Sequence, residues 1–338
     1  MYKPNFTDPR IIRKATRAWR LASINLHATK PREWYTRHID TWFGHSSNLG
    51  KWLRGQLLIC VDPYYNPERG RAKKYTLNEA NWIELGNRLG LIAKVPCVTQ
   101  IQAARLASAD AEYGSQIQLG SFEYELKNNR LWNPIQQLDN AIRKPLFANY
   151  GYVNEYDIRS AAPVIITQYA RQSGFNRPIH AIEQYLEDPR QFRLDLANRI
   201  GVDAKTAKKL ITSRFAGAAF GPRNSIKKEL GDRWVAYERL KTDSVFAALS
   251  EDIVRVWQWI KVQDEITGRF TSRAKWQIYF QEEHRVMSSV HKFLSKNNIT
   301  YFHEHDGWRC VESVDLYQLR LHVRNATGYS IDFTHEVF

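Results

Sequence analysis

The 338-residue chain is 43% apolar and 13% aromatic, enough to bury a full core, and exceeds one typical domain of roughly 100–200 residues, so two or three interleaved lobes are expected. Its net charge of +14 comes with 11 Trp and 17 Tyr, which excludes a disordered basic tail and points to a polyanionic partner, nucleic acid first. Three scattered cysteines, Cys60, Cys97 and Cys310, exclude a disulfide framework or a Cys-x-x-Cys zinc site. The opening Met1-Tyr2-Lys3-Pro4-Asn5 has no signal-peptide character, and no run of about 18 apolar residues occurs; an intracellular, cytoplasmic protein with no membrane partner is expected.

Residues 8–60 read as helical stretches in which Arg10, Arg13, Lys14, Arg17, Arg20, Lys30, Arg32 and Arg37 interleave with Trp19, Trp34, Trp42 and Trp52. Such a segment suits a surface that tracks a nucleic-acid backbone, and equally a solvated face over an aromatic core. After the turn-rich stretch Pro63 to Gly70, the segment Thr76 to Leu106 reads as two helices broken near Pro96. From Ser115 the pattern alternates, Gln116-Ile117-Gln118-Leu119 and then Phe122 to Leu126, with an Asn128-Asn129 turn, which predicts a hairpin. Tyr152 to Ile158 is a second extended run that passes through Ser160, a good N-cap residue, into a helix from Ala161. Residues 180–265 carry helical patterns: Ile182 to Leu186, Phe192 to Ile200, Ala204 to Phe220, Asn224 to Leu249 and Ile253 to Ile260. One more helix is predicted over 275–296, and then Ile299 to Glu304 and Trp308 to Val311 flank His305-Asp306-Gly307 as strand, turn and strand.

Two acids occupy special positions: Asp157 where a strand gives way to a helix, and Asp306 at the tip of a hairpin. Taken singly, Asp-Gly is ordinary hairpin-turn chemistry and an acid before a helix is an ordinary cap. If their strands share a sheet, the two could hold two divalent cations ~3.5–4 Å apart that clamp the attacking and leaving oxygens of an in-line displacement at phosphorus. Mg²⁺ or Mn²⁺ is the expected ion, since hard cations take carboxylate oxygen and Mg²⁺ needs only one or two carboxylates besides substrate phosphate. His284, His291, His303 and His305 match no closed zinc ligand set.

Glu155 to Pro163 (EYDIRSAAP) resembles motif A of the single-subunit polymerase superfamily, which comprises the family A DNA polymerases and phage-type RNA polymerases; Tyr301 to Trp308 (YFHEHDGW) resembles its motif C. Lys208 to Gly221 (KKLITSRFAGAAFG) resembles motif B, and Arg130 to Arg143 (RLWNPIQQLDNAIR) resembles the element upstream of motif A that contacts the primer-template duplex. The four stand in the family's order across residues 116–338. The resemblance implies an α+β right hand: a palm from residues 116–170 and 275–338, helical fingers from 171–274, and a basic, helical, thumb-like region over 1–115. With no segment left over for an exonuclease or a large promoter-reading domain, a minimal core is expected.

It also implies site residues. Asp157 and Asp306 become the catalytic metal ligands; Arg130, Gln136, Arg143 and His305 become contacts to template and primer; Glu282, Glu283 and Met287 fall on a helix beside the template, where a solvated helix face explains the acids as well. In motif B the family's triphosphate-gripping lysine is replaced by Thr212, leaving Lys208 or Lys209 to reach the phosphates, with Phe220 and Gly221 closing the nucleotide site. At the sugar, the family's DNA polymerases place Glu five residues after the motif A Asp and phage RNA polymerases place Gly; here the residue is Ala162, which leaves room for a 2′-OH, and Phe220 lacks the hydroxyl with which a Tyr favours ribose. The function implied is a DNA-directed RNA polymerase of primase or primase-polymerase type, from a phage or mobile element, acting on single-stranded DNA with rNTPs, dNTPs also being allowed. A replicative helicase is a candidate partner. The alternatives are an exonuclease-free DNA polymerase, a non-catalytic nucleic-acid-binding protein and a metal-dependent nuclease.

Overall fold

A computed structural model describes residues 2–26, 32–34, 39, 43–44, 47–62, 73–92, 98–218, 225–231 and 233–338. The chain is α+β and divides into two compact units, one of residues 1–123, 133–152 and 338, the other of residues 124–132 and 153–337. Among the described residues no helix is long and apolar enough to cross a membrane.

In the first unit, Asp8 accepts a hydrogen bond from the Arg10 backbone and Pro9 opens the helix Pro9–Asn25. Ala15, Ala18, Trp19 and Ala22 recur at helical spacing and are buried, while Arg13, Lys14 and Arg17 face solvent. Trp19 stacks on Trp82 with ring centres 4.6 Å apart, and each indole N–H donates to the other residue's carbonyl. Trp19 is thus core, as the solvated-face reading expects; Trp42, Lys30 and Arg37, and the side chains of Arg32 and Trp34, lie outside the described residues. A three-stranded antiparallel sheet runs in the order β1 (Arg32–Trp34), β3 (Lys73–Leu77), β2 (Leu58–Asp62).

The expected strand over Gln116 to Leu119 is instead the end of a helix, Val98–Leu119. Ala109, Tyr113 and Ile117, four apart, are all buried, so a helical stripe outweighs the two-residue alternation. The hairpin comes later, in the second unit, as β4 (Glu125–Lys127) and β5 (Arg130–Trp132), joined by Asn128 and Asn129 with φ of 51° and 61°. Asn tolerates that left-handed region, which a type I′ two-residue hairpin turn demands at both positions.

The second unit is built on a four-stranded antiparallel sheet in the order β7 (Tyr301–Glu304), β8 (Gly307–Cys310), β6 (Asn154–Ile158), β9 (Phe333–Val337). Between β6 and β7 lie the helices Ala161–Gln172, His180–Glu187, Pro189–Ile200, Ala204–Phe215, Ser225–Leu230, Trp234–Thr242, Ser244–Gln263 and Ser272–Lys296. The long helix expected over Asn224 to Leu249 is broken in two places, and Asp243 caps a single helix that takes in Ile253 to Ile260. The expected helix from Ala204 ends at Phe215, where Ala216 caps it and Gly217 turns left-handed at φ 83°. A helix Leu316–Thr327 and strand β9 were not anticipated, although Asp315 as cap, Leu319 and Val323 four apart and Gly328 after the last turn spell the helix out.

Period-2 alternation gives this sheet two unlike faces. On one, Tyr156 of β6 stacks between Trp308 of β8 and His335 of β9, with ring centres 4.9 and 4.3 Å away, and the Tyr156 hydroxyl accepts from the Val314 backbone N–H. On the other, the register aligns Asp157 with Gly307 and Thr334, and Glu155 with Arg309 and Glu336. Arg309, fully buried, ion-pairs with Glu155 and Glu304 at 2.8 Å each.

Candidate active site: paired aspartates in a basic cleft

The antiparallel β6–β8 pairing sets Asp157 opposite Gly307, the residue after Asp306. The Ile158 N–H donates to the Asp306 carbonyl at 2.9 Å, which ties the β7–β8 turn to the end of β6. His305, in that turn, has φ of 45°, and its ring packs edge-on against Trp132 at 4.4 Å. A Cβ on Gly307 would lie 2.3 Å from the Tyr156 carbonyl oxygen and 2.7 Å from Asp157 Oδ1. Only glycine lets the two strands bring both acids to the same place.

Asp157 is open to the cleft, yet so closely surrounded by protein that lost hydration, and after it the charge of Asp306, holds its carboxyl above the ordinary carboxylate range. Burial likewise raises Asp306, against the opposing pull of Arg130 and Lys208. Two carboxyls that each resist ionisation beside the other are relieved by a divalent cation, so the donor set fits hard metal ions. Among the described residues no group of three or more His, Cys, Asp and Glu is arranged around a metal position. An ion here would take Asp157 and Asp306 plus oxygens of water and substrate.

The acids open into a cleft of about 550 Å³ within the second unit. Arg130, Ala162, Lys208 and Thr212 line it together with Asp157 and Asp306, so six of the residues picked out by sequence share one wall system. Arg130 is fixed by an ion pair to the buried Glu283 at 2.5 Å and lies 3.9 Å over the Phe280 ring. Burial pushes the Glu283 carboxyl up to about 7 even against that guanidinium. Glu282 is buried as well, accepting from the Tyr329 hydroxyl at 2.6 Å and pairing with Arg285, which corrects the solvated-face reading of both acids. The Thr212 hydroxyl donates to the Lys208 carbonyl at 2.9 Å.

Not every expected site residue is seen in the cleft wall. Lys209 pairs with Glu229 at 3.0 Å and is not among the cleft-lining residues, nor is His305. Gln136 and Arg143 belong to the first unit: the Gln136 side chain closes a capping box with Asn133, and Arg143 donates to the Gln136 carbonyl at 2.7 Å. Phe220 and Gly221 lie outside the described residues. Ser160 stands at the N-cap position but is left-handed (φ 55°, ψ 52°) and makes no side-chain capping bond, which corrects its reading as a cap; its hydroxyl instead accepts from Arg193 at 3.4 Å. Sequence reasoning missed Arg159, Arg190, Arg193, Tyr185, Trp276 and Tyr279, all in the cleft wall. The run Asp188-Pro189-Arg190-Gln191-Phe192-Arg193 carried a signal, because a capped helix start with arginines three apart sets both on one face.

No protein-family model, no curated protein and no solved structure matches this chain.

Proposed function

We propose that this protein is a template-directed nucleotidyltransferase that makes short RNA primers on single-stranded DNA, with its sheet as the palm of a minimal right-handed polymerase and the helices between β6 and β7 as fingers. The observation that carries the reading is the pair of Asp157, on β6, and Asp306, in the turn that leads into the adjacent antiparallel strand β8, opening into a cleft that also holds Lys208 and Ala162. A polyanionic substrate suits a net charge of +14.

Asp157 and Asp306 would hold two Mg²⁺ or Mn²⁺ ions, which supply Lewis-acid stabilisation of charge at phosphorus when bound. The chain's own groups do the positioning. Gly307 keeps the strands close enough for the carboxylates to converge, and the Glu155–Arg309–Glu304 triad braces β6, β7 and β8 beside them. Lys208, whose charge acts on both aspartates, attracts phosphate on its flexible stem. The methyl of Ala162 leaves the ribose 2′-OH unobstructed.

Purified protein incubated with single-stranded DNA, Mg²⁺ or Mn²⁺ and labelled rNTPs, without primer, should yield ribonucleotide oligomers on a gel. Absence of product with rNTPs, and with dNTPs on a primed template, overturns the reading. On a primed template Ala162→Glu should lower the ratio of rNTP to dNTP incorporation by tenfold or more, because a carboxylate would deny the 2′-OH both space and a partner. An unchanged ratio removes Ala162 from the sugar position.

A further inference from the structure

The cleft wall contains arginines that no motif of the sequence brought to notice. Arg193, on the helix Pro189–Ile200, donates through Nε and Nη2 to the hydroxyl of Tyr185, at 3.2 and 2.5 Å, and through Nη2 to Ser160 Oγ at 3.4 Å. Tyr185 is buried and packs edge-on against Phe192 of the same helix, so the guanidinium is held by a rigid ring rather than by a mobile carboxylate. Arg190 and Arg159 line the same cleft, and Arg159 donates to the Glu187 carbonyl at 2.9 Å. Among the described residues none of these three arginines makes an ion pair. Elsewhere in the unit Arg199 has Asp243, Arg255 has Asp252 and Arg309 has two glutamates. Of the acids close in sequence to Arg190 and Arg193, Asp188 accepts from the backbone N–H groups of Arg190 and Gln191, and Asp195 accepts from the Gln191 side chain at 2.7 Å.

An arginine preset by neutral hydroxyls, with two more arginines that make no ion pair lining the same cleft, fits an anion that presents several oxygens at once. We propose that Arg193, flanked by Arg190 and Arg159 and oriented by Tyr185 and Ser160, is a polyphosphate cradle that takes the phosphate tail of a nucleoside triphosphate. The helix Ala204–Phe215 fills that role only in part: Thr212 stands where a gripping cation is expected and spends its hydroxyl on the backbone, Lys209 is paired to Glu229, and Lys208 is the one lysine of the helix among the described cleft-lining residues. The nucleoside part of the ligand rests on the nucleotidyltransferase reading; the polyphosphate part rests on the arginines alone.

Titration calorimetry in Mg²⁺ with inorganic tripolyphosphate, ATP and adenosine as probes tests the cradle. Wild type should bind tripolyphosphate and ATP, and adenosine at least tenfold more weakly. Arg193→Met should weaken tripolyphosphate and ATP tenfold or more, Arg193→Lys should restore only part of the loss because the planar fork is gone, and Tyr185→Phe, a positioning change, should weaken both about threefold, with melting curves confirming the fold. If Arg193→Met fails to fold, the exposed Arg190→Gln should still weaken tripolyphosphate about threefold. Wild type that ignores tripolyphosphate, adenosine that binds as tightly as ATP, or folded Arg193→Met within twofold of wild type overturns the proposal. Tripolyphosphate binding through Arg193 in a protein that makes no oligomer on any template overturns the nucleotidyltransferase reading and leaves the cradle standing; primer synthesis with an unchanged KM in Arg193→Met overturns the cradle alone.

Discussion

The two faces of the β7-β8-β6-β9 sheet are made by alternate residues of the same strands and could hardly differ more. Tyr156, Trp308 and His335 form one continuous stack on one face; one residue along, Asp157, Gly307 and Thr334 occupy the other, with Arg309 and two glutamates beside them. The stack contributes burial and shape. The charged face costs stability, since it crowds like charges that resist ionisation. Strand periodicity therefore separates the face that holds the fold from the face proposed to do chemistry at a spacing of a single residue, and a register slip of one would exchange the two.

That separation can be broken from either side. Asp157→Asn and Asp306→Asn should each reduce primer synthesis at least a thousandfold, about 4 kcal/mol at the usual conversion, while the melting temperature of the metal-free protein holds or rises because a repulsion is gone. Retention of more than about a tenth of the rate, roughly 1.4 kcal/mol, would remove that residue from the proposed metal site.

Trp308→Ala should act in reverse, costing about 3–5 kcal/mol of unfolding free energy in a denaturant titration. Gly307→Ala touches both faces at once, because the new methyl would meet the Tyr156 carbonyl and the Asp157 carboxylate. A loss of about 1–3 kcal/mol in stability is expected, together with weaker Mn²⁺ binding; unchanged Mn²⁺ affinity would show that the strands do not need the close approach.

The smallest effect is one of pH. His303, on the same side of its strand pair as Trp308, shares a 3.0 Å hydrogen bond with His291, and burial lowers both, His291 to about 4. A histidine whose folded pKa lies below its unfolded value near 6.5 adds its full stability above that pH and loses it as the pH falls. The expected loss is about 0.8 kcal/mol per histidine at pH 6. His303→Phe should flatten the stability profile between pH 6.5 and 4; an identical slope would mean the pair is not titrating as a buried neutral unit.

How far the site was legible follows the range of each signal. Asp157 and Asp306 could be found because both are marked locally, one by a strand-to-helix change and the other by Asp-Gly between two extended runs. The Gln116 to Leu119 alternation misled because it samples four residues, while the competing stripe of Ala109, Tyr113 and Ile117 spans nine. Burial of Glu282 and Glu283 depends on Tyr329 and Arg130, residues remote in sequence, and no local pattern announces such partners. Arg193 was missed for a similar reason: its holders Tyr185 and Ser160 join it only once three helices are assembled.

Neighbouring strands bring Asp157 and Asp306 together although about 150 residues of chain intervene, most of them helical. During synthesis the helices can form as they emerge, each from local contacts, but β6 has no partner until β8 arrives and no second neighbour until β9. The long loop must close before the pairing repays it, which places the sheet among the slower steps of folding. A ribosome that stalls between residues 157 and 306 leaves a chain that can be substantially helical and possess only half of the acidic pair. Helicity should therefore appear early in refolding and affinity for divalent metal late, so the metal itself can serve as a clock for completion of the fold.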